Sequence, residues 1–273
     1  MIDKLLLKKV TKRELQSLGG LLSFASTVVK AGRSFSRGVY NLLGKVKRNN
    51  HFVRLNSKLK DDLRFWKNIV GNPDFNGKAK LLENDPSNME IFVTDSSFYG
   101  YGVYYDGNWL CGAWDDDVKP YIPDTFDISK NWCSHDISES IRKNINALEL
   151  FPILQAARSY GHLWKNKRVI VYTDNTQCMA FINNGTCKGS SEIMTYLREL
   201  LLISAYNNFH LTARYIKGNA NVICDCLSRL NDSNMWHNLI NYVSSYNIPF
   251  YLQMKQNNNS LEKPQMHASP IIP

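Results

Sequence analysis

The sequence predicts an α/β fold: a central mixed sheet with flanking helices, preceded by a small basic helical region. Three observations predict it. Apolar residues recur at helical spacing through the first seventy positions. After residue 90 short apolar runs alternate with helical stretches, the order expected of strands and helices in one layered domain. Two of those runs end on a carboxylate, Asp95 and Asp174, and open α/β sheets gather ligands at the carboxyl ends of their strands.

The helical region starts at Thr11, whose spacing to Glu14 is that of a capping box, and Leu15, Leu18, Leu22 and Ala25 continue an apolar stripe. A second helix is predicted over Phe35 to Val46. A third runs from Ser57 to about Val70, with Leu59, Leu63 and Trp66 on one face. Gly71-Asn72-Pro73 stops it, and 71–88 reads as a linker. Residues 91–94 then form a short apolar strand ending at Asp95. Strands 101–105 and 108–114 flank Asp106-Gly107, a two-residue hairpin signal. Residues 115–142 are polar and irregular, an insertion or long loop. A helix carries Glu149 and ends near Gly161, and strand 168–173 ends at Asp174. Helices follow near 176–183 and 190–206, then strand 209–216, Gly218 and a helix containing Asp225. The predicted division is therefore 1–70 helical, 71–88 linker, 89–231 α/β domain and 232–273 tail, with disorder expected from Asn257 onward.

Bulk properties exclude several classes. A hydrophobic fraction of 44% and a charged fraction of 21% are those of a globular protein. No apolar run is long enough to span a bilayer, so no membrane partner is expected and the chain is taken as intracellular. The six cysteines form no CxxC pair or zinc spacing, so reduced thiols are expected. Residues 1–70 hold 16 Lys/Arg against 4 Asp/Glu, whereas the remainder holds 17 against 20. Charge segregated in this way points to an anionic partner on the N-terminal segment, or else to a solvated helical surface. Arg33, Arg37, Lys45, Lys47 and Arg48 are the phosphate contacts expected there, with Asn175 added beside Asp174.

The chemistry is expected from four acids: Asp95, Glu149, Asp174 and Asp225. Each alone is weak. A strand-end Asp more often caps a turn or helix, and Asp225 has Arg229 four residues on as an ion-pair partner. Together they form a pattern, because hard divalent cations such as Mg2+ take carboxylate oxygens. Two such ions about 3.5–4 Å apart clamp both oxygens of a phosphodiester displacement. Four converging carboxylates without a cation would repel, so a shared site implies bound metal or shifted pKa values. The histidines show no metal-ligand spacing. The aromatics Phe98, Tyr99, Tyr101, Tyr104, Tyr105, Trp109 and Trp114 are expected to pack rather than stack on bases.

Residues 90–230 resemble the RNase H domain of retroelement reverse transcriptases, particularly DIRS-like elements. The matching stretches are Val-Thr-Asp95-Ser-Ser with Gly100-Tyr-Gly102, Glu149-Leu-Phe-Pro-Ile, Thr-Asp174-Asn, and Ile-Lys-Gly-Asn-Ala-Asn-Val-Ile-Cys-Asp225-Cys-Leu-Ser-Arg. Residues 11–70 look like the segment after the polymerase palm, through Leu-Gly-Gly-Leu-Leu-Ser-Phe-Ala, Gly32-Arg33, Val53-Arg54-Leu55 and Asp62-Leu63-Arg64-Phe65-Trp66. The resemblance implies an RNase H-like fold in which Asp95, Glu149, Asp174 and Asp225 coordinate two Mg2+ ions, with Mn2+ as a substitute. Water would attack the RNA strand of an RNA–DNA hybrid, leaving a 5′-phosphate and a 3′-hydroxyl. The hybrid would be read by shape and 2′-hydroxyls. No Tyr-x-Asp-Asp pair is present, so the chain is expected to lack polymerase chemistry and to partner the polymerase portion of the same polyprotein. Three positions depart from, or test, the pattern. Tyr215 stands near a position where many relatives carry His, Cys224 stands where a small residue is usual, and Pro152 follows Glu149 by three residues. Two other readings stay open at this level: a non-catalytic nucleic-acid-binding remnant, and a recombinase- or integrase-type nuclease acting on DNA.

Overall fold

A computed structural model describes residues 2–6, 9–73, 75, 86–187 and 190–255. Most of the predicted 71–88 linker, and the tail from residue 256, lie outside the described residues. The chain divides into two compact units, and they do not follow the linear division. Residues 160–168 and 181–211 cluster with 1–89, while 90–159, 169–180 and 212–273 form the other unit.

In the first unit the elements are α1 (Ile2–Leu6), β1 (Val10–Thr11), α2 (Lys12–Ala25), α3 (Gly32–Lys45), β2 (Phe52–Val53), α4 (Ser57–Gly71) and α8 (Ser191–Tyr206). The capping box is formed as its spacing predicts: Glu14 N donates to Thr11 Oγ1 at 3.2 Å, and Thr11 N to Glu14 Oε2 at 2.8 Å. Leu15, Leu18 and Leu22 of α2 are buried, as are Leu59, Leu63, Trp66 and Ile69 of α4. β1 and β2 pair antiparallel over two residues each, too short for a strand period to be legible in the sequence. The unit also buries an ion pair. Asp62 is 1% exposed and accepts from Arg198 of α8, whose guanidinium lies 4.2 Å above the Phe35 ring. Removing one partner of a buried pair leaves an uncompensated charge. Arg198→Ala is therefore expected to destabilise the fold by about 3 kcal/mol in urea unfolding, with Asp62→Asn/Arg198→Ala recovering part of the loss.

The second unit is built on a mixed five-stranded sheet of β3 (Met89–Ser96), β4 (Gly100–Tyr105), β5 (Asn108–Ala113), β6 (Arg168–Thr173) and β7 (His210–Tyr215), in the order β5-β4-β3-β6-β7. β3, β4 and β5 run antiparallel. His210 N donates to Lys167 O and Ile216 N to Thr173 O at the same sequence offset, which makes β6 and β7 parallel. With the helices α5 (Glu139–Arg142), α6 (Ile145–Tyr160), α7 (Thr176–Asn184), α9 (Val222–Ser228) and α10 (Ser233–Ser245), this is the α/β arrangement of a central mixed sheet and flanking helices that the sequence predicts. Asp106 and Gly107 both have positive φ, 47° and 77°, as a two-residue hairpin turn between right-twisted strands requires.

Segments 115–142 and 232–255 carry more structure than their sequence suggested. The first has one short helix, and its residues 131–135 lie along β5: Cys111 N donates to Asn131 O, Cys133 N to Cys111 O and His135 N to Ala113 O. It thereby satisfies an edge strand that would otherwise offer unpaired backbone. The tail begins with α10, which buries Trp236, Leu239 and Val243 in a cluster with Trp109, Cys111, Cys226, Leu227 and Leu230. Its last described residues return to the hairpin, where Trp109 Nε1 donates to Tyr251 O at 2.9 Å and Phe250 stacks on Trp109. Of the hairpin aromatics, Tyr101, Tyr105, Trp109 and Trp114 are buried, as packing predicts, while Phe98 and Tyr99 are exposed. All six cysteines are free thiols. Among the described residues no helix is long and apolar enough to cross a membrane.

Candidate metal centre

Three of the four predicted acids meet. Carboxylate oxygens of Asp95, Glu149 and Asp174 all lie within 4.8 Å of one another. Each arrives on a different element, and neighbouring contacts fix each one.

Asp95 sits near the end of β3 opposite Gly102 of β4. A Cβ on Gly102 would lie 2.5 Å from Leu227 Cβ and 2.6 Å from Cys224 O, so α9 packs directly on the strand there. That packing places Ser228 Oγ 3.0 Å from Asp95 Oδ2 and 2.9 Å from Asp225 O. Asn221 Nδ2 donates to Thr94 O, and the buried Cys224 thiol lies 3.2 Å from Val93 O. Cys224 therefore fits as a packed thiol against β3.

Glu149 is carried by α6, five residues into the helix. Pro152 lies inside the same helix and has no N–H to give the carbonyl four residues back, that of Leu148. Ser96 Oγ of β3 donates to that carbonyl at 2.8 Å. The helix thus exchanges one internal bond for a tie to the strand carrying Asp95. Ser96→Ala would leave the buried carbonyl unpaired and is expected to cost about 1–3 kcal/mol of stability, measured by chemical denaturation.

Asp174 follows β6. Asn175 accepts from Gln177 N and Cys178 N at 2.9 Å each, capping α7, and its amide donates to Asn146 Oδ1 at 3.0 Å. Its side chain is therefore engaged in holding Asp174 and α6 together. Gly218 lies beside the cluster: a Cβ there would stand 3.2 Å from Asp174 Oδ2, so its absence keeps that oxygen open.

The electrostatics are those of buried carboxylates gathered together, with Arg229 as a counter-charge that only partly offsets the burial of Asp95 and Asp174. Burial, then the charges of Asp95 and Asp174, push Glu149 up to about 9. Burial and Asp174 push Asp95 up to about 7, against the lowering effect of the Ser228 hydrogen bond. Asp174 is raised mainly by burial. Asp95 and Glu149 are each only 5% exposed, and Glu149 Oε2 is buried with no hydrogen-bond partner. Three hard oxygen donors and an orphaned buried carboxylate oxygen fit a divalent cation. Cys178 lies close by, but its thiol pKa is raised well above the ordinary value by burial, which keeps it neutral.

Asp225 stands apart from this trio. Its Oδ1 pairs with Arg229 Nη2 at 2.9 Å, the i,i+4 contact available from sequence. Its charge nonetheless reaches the site and raises both Asp95 and Asp174. Tyr215 is exposed at the end of β7. The basic residues Arg33, Arg37, Lys45, Lys47 and Arg48 are all exposed in the first unit. Sequence reasoning missed Ser228 and Gly218, although Ser228 follows Asp225 by one helical turn.

No family model matches the chain. Over 90 residues, 33% of its length, the chain is 36% identical to a polyprotein of Cassava vein mosaic virus described as enzymatic, of which it spans 13%. Among solved structures it is similar to the foamy viral protease-reverse transcriptase dRH in complex with double-stranded DNA. That alignment has 16% identity and a TM-score of 0.29, covering 78% of this chain and 35% of the other.

Proposed function

We propose that the chain is the nuclease segment of a retroelement reverse transcriptase, of the DIRS-like kind, and hydrolyses the RNA strand of RNA–DNA hybrids. The observation that carries this reading is the convergence of Asp95, Glu149 and Asp174 around the orphaned Glu149 Oε2. The similarity to a viral polyprotein segment supports the setting. Asp95, Glu149 and Asp174 would hold a divalent cation, with Asp225 completing a second position once released by Arg229. Mg2+ bound in pairs at such carboxylates activates water and offsets charge on a phosphoryl group.

The chain's own residues have distinct parts. Asp95 and Glu149 must give up their protons to bind a cation, and their raised pKa values mark that cost. Ser228 orients Asp95, and the Ser96–Leu148 bond sets the height of Glu149 on α6. Arg33, Arg37, Lys45, Lys47 and Arg48 supply positive charge for the nucleic-acid backbone without reading sequence. The test is cleavage of a labelled RNA–DNA hybrid with Mg2+ or Mn2+. Fragments of the RNA strand are expected from the native chain and not from Asp174→Asn.

One observation favours a second reading. Asp225 is engaged by Arg229 rather than converging with the other acids. That geometry suits a remnant that binds nucleic acid without turnover. Hybrid binding with no cleavage in either metal would select it.

A further inference from the structure

We propose that a cleft within the first unit, bounded by α3, the start of α4 and α8, seats the phosphates of a single nucleic-acid strand. The cleft has a volume of about 650 Å³. That is the size of pockets enclosing drug-sized ligands, so a strand would seat about one or two nucleotides in it at a time. Its cations come from three separate stretches: Arg37 and Lys45 on α3, Lys58 on α4 and Arg198 on α8. No sequence-local cluster unites them.

The acids of the same lining are largely spoken for. Asp61 pairs with Arg64 at 2.5 Å, and Asp62 is buried against Arg198. Glu199 is the remaining lining acid. Among the described residues Arg37, Lys45 and Lys58 make no ion pair, and the polar contact of Arg37 is to the Cys187 carbonyl at 2.6 Å. Arg198 is held by Asp62 and by the Phe35 ring 4.2 Å away, so its guanidinium forms a fixed, planar part of the cleft wall. A fixed guanidinium with Arg37 and Lys45, which make no ion pair, and Lys58, whose charge acts on the buried Asp62 without a direct bridge, is suited to a polyphosphate. The segregation of positive charge onto residues 1–70, and a carboxylate trio suited to phosphodiester chemistry in the same chain, select nucleic acid as its source.

This inference rests on the reading of the chain as a nucleic-acid enzyme, but its test needs no metal and no turnover. Binding of a short fluorescein-labelled oligothymidylate to the full chain is followed by anisotropy in EDTA over a salt series. For a single strand, each phosphate that the protein ceases to neutralise makes the log–log salt slope shallower by about 0.7. Arg37→Ala/Lys45→Ala/Lys58→Ala, which strips a cleft that seats one or two nucleotides, is expected to reduce it by about 0.7–1.4. Lys9→Ala/Arg13→Ala/Arg54→Ala removes the same charge from exposed positions outside the cleft, and is expected to change the slope by less than about 0.5. Because Arg37 also holds a backbone carbonyl, Lys45→Ala/Lys58→Ala serves as the variant with least risk to folding, with a reduction of about 0.7 expected. Equal loss in the two triple variants would overturn the proposal in favour of diffuse attraction. An unchanged slope in the cleft variants would overturn it outright. Binding is read in EDTA, where no cleavage occurs, so loss of cleavage there and loss of binding here remain separate outcomes.

Discussion

Glu149→Gln is expected to lower metal-dependent cleavage of an RNA–DNA hybrid by about 10³-fold or more, and at the same time to stabilise the metal-free protein. The first effect follows from the site. Glu149 Oε2 is buried without a hydrogen-bond partner, and its position between Asp95 and Asp174 leaves a cation as the natural neighbour. Losing a carboxylate from such a site forfeits several kcal/mol of charge stabilisation in the transition state, and each 1.36 kcal/mol is about tenfold in rate. The second effect has the opposite sign. A neutral amide of nearly the same shape removes the repulsion and the desolvation that push this carboxyl to about 9. A residue that only supported the fold would lose activity and stability together. Gain in one with loss in the other, read by single-turnover kinetics and by thermal melting in EDTA, is the signature of a residue kept for function.

The pH dependence of stability should reverse when metal is added. Asp95 and Glu149 have folded-state pKa values raised to about 7 and about 9, above their unfolded values. Carboxyls shifted upward bind more protons in the folded chain than in the unfolded one. Their contribution to stability is therefore full below the unfolded pKa, near 4, and is lost as pH rises through the folded values. In EDTA the melting temperature is expected to fall between about pH 5 and pH 9 by several degrees. With Mg2+ or Mn2+ the loss should be recovered, and recovered most at high pH, because the ligands must be deprotonated to bind. Glu149→Gln should flatten both curves. A melting temperature that rises with pH in EDTA would contradict the burial of these acids.

The parts of this molecule that were legible in the sequence are those written locally. Thr11 and Glu14 announce a capping box within four residues, and the structure forms it. Asp106-Gly107 states a turn in two residues, and both adopt positive φ. Asp95 and Asp174 were found because each ends an apolar strand, and Glu149 because it lies on a helix between them. What could not be read depends on packing between distant stretches. The Leu148 carbonyl freed by Pro152 is invisible without knowing that Ser96 lies opposite. The buried pair of Asp62 and Arg198 joins positions far apart in the chain.

The tail shows a different limit. Trp236, Leu239, Ile240 and Val243 carry helical spacing that was there to be counted, but the polar residues among them obscured it until α10 was seen to bury that face. Asp225 was grouped with the other acids by its place in the chain and again by resemblance; the structure pairs it with Arg229, four residues on, while its charge still raises Asp95 and Asp174.

Asp95, Glu149 and Asp174 offer a divalent cation three hard oxygen donors. Whether they bind one is read by isothermal titration of Mn2+ into the full chain at about pH 8, where unperturbed carboxyls are ionised, beside Glu149→Gln. Saturable binding by the native chain, with proton release and with loss in Glu149→Gln, is the predicted result. Equal binding by both proteins, or none by the native chain, would contradict it.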